Sequence, residues 1–281
     1  MNPTPPIASD PPREPVRTRP PFVGAISGKG GVGKTNLVAN LAVAASGLGA
    51  RVLLVDGDLG LANLDVLLGL VPTRCVSDVL TGQVPLDEAL VPGPRGVRLL
   101  PAASGRSDLA ALGAAGLACL SARLEENAHR FDLVLVDIGA GVGPAALGLA
   151  TLCDPILLVT NAEPTSLADA YATLKLLRRN PAAGRIELVV NSAADPAEGL
   201  RTHAQLARLA KRFLDDELPL QGVLPRDPRL AEAVTEQRTV VEAFPGSPAS
   251  QGLVAMAARL LKRSSITPPP ANGGWTHGAF D

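Results

Sequence analysis

Cysteine is scarce in this chain, and the few present are scattered. Cys75, Cys119 and Cys153 share no C-x-x-C spacing, and His129, His203 and His277 form no cluster with them, so a thiolate or imidazole metal centre is not expected. An odd count without a disulfide framework fits a reducing compartment. No run of eighteen apolar residues occurs, and the opening residues lack the apolar core of a signal peptide. Neither a membrane span nor secretion is therefore expected, and the expected location is cytoplasmic. A charge excess is missing as well: 26 Lys and Arg against 27 Asp and Glu leave a net charge of −1. That balance gives no electrostatic reason for nonspecific nucleic-acid binding, and no direct DNA binding is expected. Lysine itself is rare, limited to Lys29, Lys34, Lys175, Lys211 and Lys262.

What is present is enough for a folded core. Hydrophobic residues make up 46% and charged residues 19% of 281 positions, which fits one large α/β unit. Residues 1–21 hold eight prolines and are expected to form a disordered leader. Residues 264–281, with Pro268-Pro269-Pro270 and Gly273-Gly274, are expected to form a disordered tail. The ordered domain is expected to span 22–263.

Two of the five lysines fall in one short run, Ser27-Gly28-Lys29-Gly30-Gly31-Val32-Gly33-Lys34-Thr35-Asn36. It fits the phosphate-cradling pattern G-x-x-x-x-G-K-[ST]. Glycines let successive backbone N–H groups turn toward anionic phosphates, Lys34 adds charge near the outer phosphates, and the Thr35 hydroxyl suits Mg²⁺. The context also fits: Phe22–Ile26 reads as a buried strand, and Leu37, Leu41, Ala44, Ala45 and Leu48 recur at helical spacing. Further strands are expected at Arg51–Val55, Val97–Leu100, Leu133–Val136, Ile156–Thr160, Ile186–Asn191 and Gly222–Leu224. Strands alternating with helical patterns imply a mostly parallel sheet with helices on both faces, whose ligands bind at the strands' carboxyl ends.

The informative polar residues lie at those ends. Val52-Leu53-Leu54-Val55-Asp56-Gly57-Asp58 delivers two carboxylates, and Leu133-Val134-Leu135-Val136-Asp137 delivers a third in the form of a Walker B strand. Mg²⁺ asks for hard oxygen ligands and keeps several waters, so Thr35, Asp56 and Asp137 are the candidate metal residues. Gly139-Ala140-Gly141 follows Asp137 as a loop suited to sensing a terminal phosphate. The apolar stripe of Ser250–Arg263 (Leu253, Val254, Ala257, Leu260, Leu261) is read as covering the core rather than lying on a membrane.

The second lysine, Lys29, makes this the deviant Walker A form, and the chain resembles the MinD/ParA group of P-loop ATPases. The resemblance implies a three-layer P-loop NTPase fold, ATP and Mg²⁺ as ligands, and a homodimer when ATP is bound, with Lys29 reaching the partner subunit's phosphates. It assigns Lys29, Lys34 and Asp58 to catalysis, with Asp58 positioning the attacking water. It places Gly28, Lys29, Gly30, Gly31, Val32, Gly33, Lys34, Thr35 and Asn36 on the phosphates, and Asn191, Pro225, Arg226 and Asp227 near the adenine. The stretches Asp58–Gly69, Gly96–Gly105 and Glu163-Pro164-Thr165-Ser166-Leu167-Ala168-Asp169-Ala170-Tyr171 resemble the flagellar branch, FlhG/FleN. That branch implies slow, partner-stimulated ATP hydrolysis and control of flagellar number, placement or gene expression. Its partners are the GTPase FlhF, flagellar switch proteins and an enhancer-binding transcription activator. Nothing in residues 1–21 matches the branch's D-Q-A-x-x-L-R segment, and nothing after Arg263 matches its membrane helix. A MinD- or ParA-type positioning ATPase is the alternative; a cobyrinate-synthetase-like amide-forming enzyme would need a glutaminase domain that is not evident.

Overall fold

The computed structural model describes residues 20–58, 62–102 and 113–263. The expected leader (apart from Pro20 and Pro21) and tail lie outside the described residues, as do parts of the Asp58–Gly69 and Gly96–Gly105 stretches.

Strand β1 (Phe22–Ile26) alternates strictly, sending Phe22 and Ile26 to one apolar core and Val23 and Ala25 to the other. Being buried on both sides, it reads in sequence as a continuous apolar run. Around it stand β2 (Val52–Gly57), β3 (Val91–Pro92), β4 (Arg98–Leu100), β5 (Leu133–Ile138), β6 (Ile156–Thr160), β7 (Ile186–Ala193) and β8 (Leu220–Pro225). The sheet order among the described residues is β3-β4-β2-β5-β1-β6-β7-β8, parallel throughout except for β3, which runs antiparallel to β4. One face is covered by α1 (Lys34–Gly47), α2 (Leu64–Leu67), α9 (Pro228–Thr235), α10 (Val240–Ala243) and α11 (Pro248–Arg263). The other is covered by α3 (Val76–Leu80), α4 (Leu86–Ala89), α5 (Gly113–Ala128), α6 (Pro144–Ala150), α7 (Pro164–Arg178) and α8 (Pro196–Leu214). This is the expected three-layer α/β architecture.

Differences from the sequence reading are local. The parallel ladder between β2 and β5 continues through the pairs Asp56↔Asp137 and Gly57↔Ile138, so both aspartates belong to strands and sit side by side. Gly57 is required there, because a Cβ would come within 2.8 Å of the Asp137 carbonyl oxygen. Strand β3 was not foreseen. It is two residues long, contains a proline and lies on the sheet edge, where a missing N–H costs no ladder bond.

Helix α1 ends at a left-handed Gly49 (φ 92°), with the Gly49 N–H reaching the Ser46 carbonyl and the Ala50 N–H the Ala45 carbonyl, the Schellman geometry that glycine favours. The stripe on α11 is core: Leu253, Met256, Ala257, Leu260 and Leu261 are buried with residues of α1 and β8. No helix among the described residues is long and apolar enough to cross a membrane. Replacing Leu260 by Ala is therefore expected to cost about 2–5 kcal/mol in urea-unfolding free energy; a residue reserved for a membrane would show almost no loss.

Candidate functional site

The loop between β1 and α1 lies at the carboxyl edge of the sheet, next to the ends of β5 and β2. Its turns depend on left-handed Gly31 (φ 82°) and Gly33 (φ 86°). Gly33 also stands at the N-cap of α1, where no side chain caps the helix and no acidic residue occupies its first turn. Among the described residues no side chain caps the first-turn N–H groups, which carry the positive end of the helix dipole.

Lys34 begins that helix and turns inward. Its Nζ donates to Oδ1 of Asp137 at 2.5 Å, with the side chains only 6% and 1% exposed. Burial pushes the Asp137 carboxyl above its usual range, against the pull of the Lys34 ammonium and the Thr35 hydroxyl. Asp56, the register neighbour of Asp137, is also buried. Burial, with the charge of Asp137 beside it, pushes the Asp56 carboxyl up to about 7, although the amides of Asp58 and Leu64 hold it down. Those two amides donate to Asp56 Oδ1 (3.1 Å) and Oδ2 (3.3 Å). Asp56 thus staples both ends of the segment that carries Asp58. Asp58 in turn lies against Gly139, where an added Cβ would stand 3.3 Å from the carboxylate. Gly141 donates its N–H to the Ser27 carbonyl at 2.9 Å, tying the Gly139–Gly141 loop to the start of the glycine-rich loop. A cavity of about 520 Å³ opens here, lined by the glycine-rich loop together with Asp58, Asn63, Val66, Val234 and Gln237.

Among the described residues no cluster of three His, Cys, Asp or Glu side chains could hold a metal by itself. Two buried carboxylates side by side, next to a cavity that Thr35 lines, do fit a hard cation whose remaining ligands are a hydroxyl, phosphate oxygens and water.

Lys29 points elsewhere. Its Nζ donates to Glu163 Oε2 at 2.7 Å and to Thr165 Oγ1 at 3.1 Å, at the start of α7. The hydrogen bond from Lys29 holds the Glu163 carboxyl below its usual range. Gly28 packs so closely on α7 that a Cβ would come within 2.3 Å of the Asp169 carbonyl oxygen. The E-P-T-S-x-x-D-A-Y stretch therefore abuts the glycine-rich loop, a contact the sequence reading missed. The available signal was that β6 pairs with β1, so residues leaving the two strands emerge together.

The adenine candidates do not line the cavity. Asn191, at the end of β7, donates from Nδ2 to the Val32 carbonyl at 2.8 Å and so braces the glycine-rich loop. The Arg226 N–H reaches the Ala193 carbonyl, and Pro225 closes β8. Asp227 accepts from the amides of Arg229 and Ala249, both at 3.0 Å, capping α9 and holding the start of α11. Burial raises the Asp227 carboxyl, but these amides keep it below its ordinary range.

The profile of the CobQ/CobB/MinD/ParA nucleotide binding domain matches residues 23–240. The chain is 43% identical over 250 residues to the antiactivator FleN of Pseudomonas aeruginosa, covering 89% of this chain and 88% of that one. It is 31% identical over 245 residues to the flagellum site-determining protein YlxH of Helicobacter pylori, covering 86% and 82%. The septum site-determining protein MinD from Pyrococcus horikoshii, solved in complex with Mg-ADP, superposes with a TM-score of 0.71 at 28% identity, covering 85% of this chain and 95% of that one.

The buried ion pair generates a test. Asp137→Ala strands a buried ammonium and is expected to cost about 3–5 kcal/mol without nucleotide, whereas Lys34→Met combined with Asp137→Leu removes both charges and should cost far less. Additive losses in urea titrations of the single and double variants would contradict that coupling.

Proposed function

The chain belongs to the CobQ/CobB/MinD/ParA nucleotide-binding family, and from that premise we propose that it is an ATP-dependent switch that dimerises on Mg·ATP, resets by hydrolysis and regulates flagellar number, placement or gene expression. The single observation that carries the nucleotide reading is the glycine-rich loop with two lysines, set on a helix N-terminus that lacks a side-chain cap. The flagellar assignment is supported by the identity to FleN and YlxH over most of the chain.

In this reading the N–H groups of Gly30–Asn36 and the Lys34 ammonium hold the phosphates, and Lys34 shifts from Asp137 toward them. Thr35 and Asp137, with Asp56 beside it, hold Mg²⁺, which supplies neutralisation of the phosphate charge. Asp58 orients the attacking water. Alignment and charge neutralisation are most of what phosphoryl transfer requires. Asn191 and Pro225–Asp227 act on the base side by bracing the loop and setting α9. Lys29 leaves Glu163 and Thr165 to reach the triphosphate held by a second copy. Partner proteins, whether FlhF, switch-complex proteins or a transcription activator, act on the dimer. The folded unit is residues 22–263, and its place of action is the cytoplasm.

Size-exclusion chromatography with a nonhydrolysable ATP analogue should convert a single-copy species to a dimer, and persistence of the single-copy species would refute the switch. Asp58→Ala should keep analogue binding and dimerisation while turnover falls by a factor of about 100 or more. Deleting the gene should alter the count or position of flagella per cell; normal flagellation would remove the flagellar assignment and leave the ATPase reading standing.

A further inference from the structure

Gln237 occupies a position that glycine ordinarily fills. It follows α9 in the left-handed conformation (φ 54°), with its N–H on the Val234 carbonyl and the Arg238 N–H on the Ala233 carbonyl. This is the same Schellman arrangement that Gly49 makes after α1 and that Gly69 (φ 64°) makes after α2, where the Gly69 N–H reaches Val66 and the Leu70 N–H reaches Asp65. Side chains other than glycine are strained there; Arg95, Ser192 and Asp215 also have a positive φ, so what distinguishes Gln237 is the contact its side chain makes.

That side chain has a specific contact. Gln237 Nε2 donates to the Val66 carbonyl at 3.1 Å, bridging 171 positions of sequence. The acceptor is one of the last carbonyls of α2, a helix of only four residues. The Gln237 backbone also packs on Gly69, whose added Cβ would stand 3.4 Å from the Gln237 carbonyl oxygen. The two helix ends thus face each other, and the residue ending α9 caps α2.

The position of α2 matters because it directly follows the Asp58 segment and contributes Val66 and Leu67 to the wall of the nucleotide cavity, which Gln237 also lines. Its first amide, Leu64 N–H, is held by Asp56. A four-residue helix cannot sustain itself; burial of Leu64 and Leu68 seats it on the core, and the side-chain contacts of Asp56 and Gln237 fix its two ends. We infer that Gln237 is a positioning residue for the hydrolytic reaction: its amide fixes α2, whose Leu64 N–H holds the Asp56 carboxylate that also accepts from the Asp58 N–H, linking α9, which starts at the candidate base-side residues Pro225–Asp227, to the water-orienting carboxylate. The catalytic half of this inference rests on the ATPase reading above; the structural half does not.

The test uses the full chain with three substitutions. Gln237→Gly removes the donor and relieves the backbone, so its thermal midpoint should equal or exceed that of the unaltered protein. Amide hydrogen exchange of residues 62–70 without nucleotide should nevertheless quicken about tenfold. Turnover at saturating ATP should fall about tenfold. Gln237→Glu, similar in shape but unable to donate, should lose turnover likewise. Gln237→Lys, which donates to the same carbonyl, should recover most of it. Unchanged exchange at 62–70 in Gln237→Gly, or a lysine variant no better than glycine, would overturn the inference. If the unaltered protein fails to hydrolyse ATP, the ATPase reading and the catalytic half of this inference fall, while the exchange measurement still decides the link from Gln237 to α2.

Discussion

An ammonium group buried among apolar strands must be neutralised, and this requirement organises the carboxyl edge of the sheet. Lys34 comes from the helix after β1 and Asp137 from β5, so their pairing fixes the glycine-rich loop against the strand beside it. A charge removed from water recovers the lost hydration only through close, well-oriented partners. Placing Asp137 there brings Asp56 into register beside it, and the second buried carboxylate is accommodated by donating amides and by a raised proton affinity. The geometry around Asp58 follows from that accommodation, because the amides recruited by Asp56 are the two ends of the Asp58 segment.

Carboxylates at strand ends do two kinds of work in this fold. Asp56 and Asp227 each engage two backbone amides from different elements, a use available to any aspartate at a turn or helix start. In the proposed reading Asp56 lies beside the metal, whereas Asp227 lies outside the cavity lining and sets the start of α9. The two uses are compatible: a carboxylate held by two amides has a fixed direction, and a fixed direction is what orienting a ligand requires. Asn191 combines roles in the same way, its amide donating to Val32 within the loop it would help present.

The parts legible in the sequence were those encoded locally. The glycine-rich run, the apolar strands ending in Asp137 and at Asp56, and the 3.6-residue stripe of α11 carry their meaning within a dozen positions. What escaped was contact between distant segments. Glu163 with Lys29 spans 134 positions and Gln237 with Val66 spans 171, and no periodicity signals either. Strand ends were read short because Asp56 and Asp137 look like turn residues, and only the ladder between neighbouring strands keeps them extended. Gln237 was invisible for a related reason: a left-handed glutamine has no local signature, since glycine is what marks such a turn.

The two lysines of the loop differ in environment, and the difference suits a switch. Lys34 is enclosed, its partner almost wholly buried, so separating the pair without a replacement anion is costly. Lys29 is paired with an exposed glutamate, their side chains 39% and 58% accessible. Pairs of that kind are screened by water and salt and contribute little net stability. In the proposed dimer, a triphosphate brought close by a second copy would offer several formal charges against one glutamate in open water, so exchange of partner by Lys29 would be favourable. The Glu163 and Thr165 contacts hold the lysine at the loop's edge, and in the proposed switch that order would reduce the entropy lost on recruitment. In the proposed switch Lys34 would therefore leave Asp137 only as phosphate oxygens replace the carboxylate, whereas Lys29 would give up a screened contact at little cost.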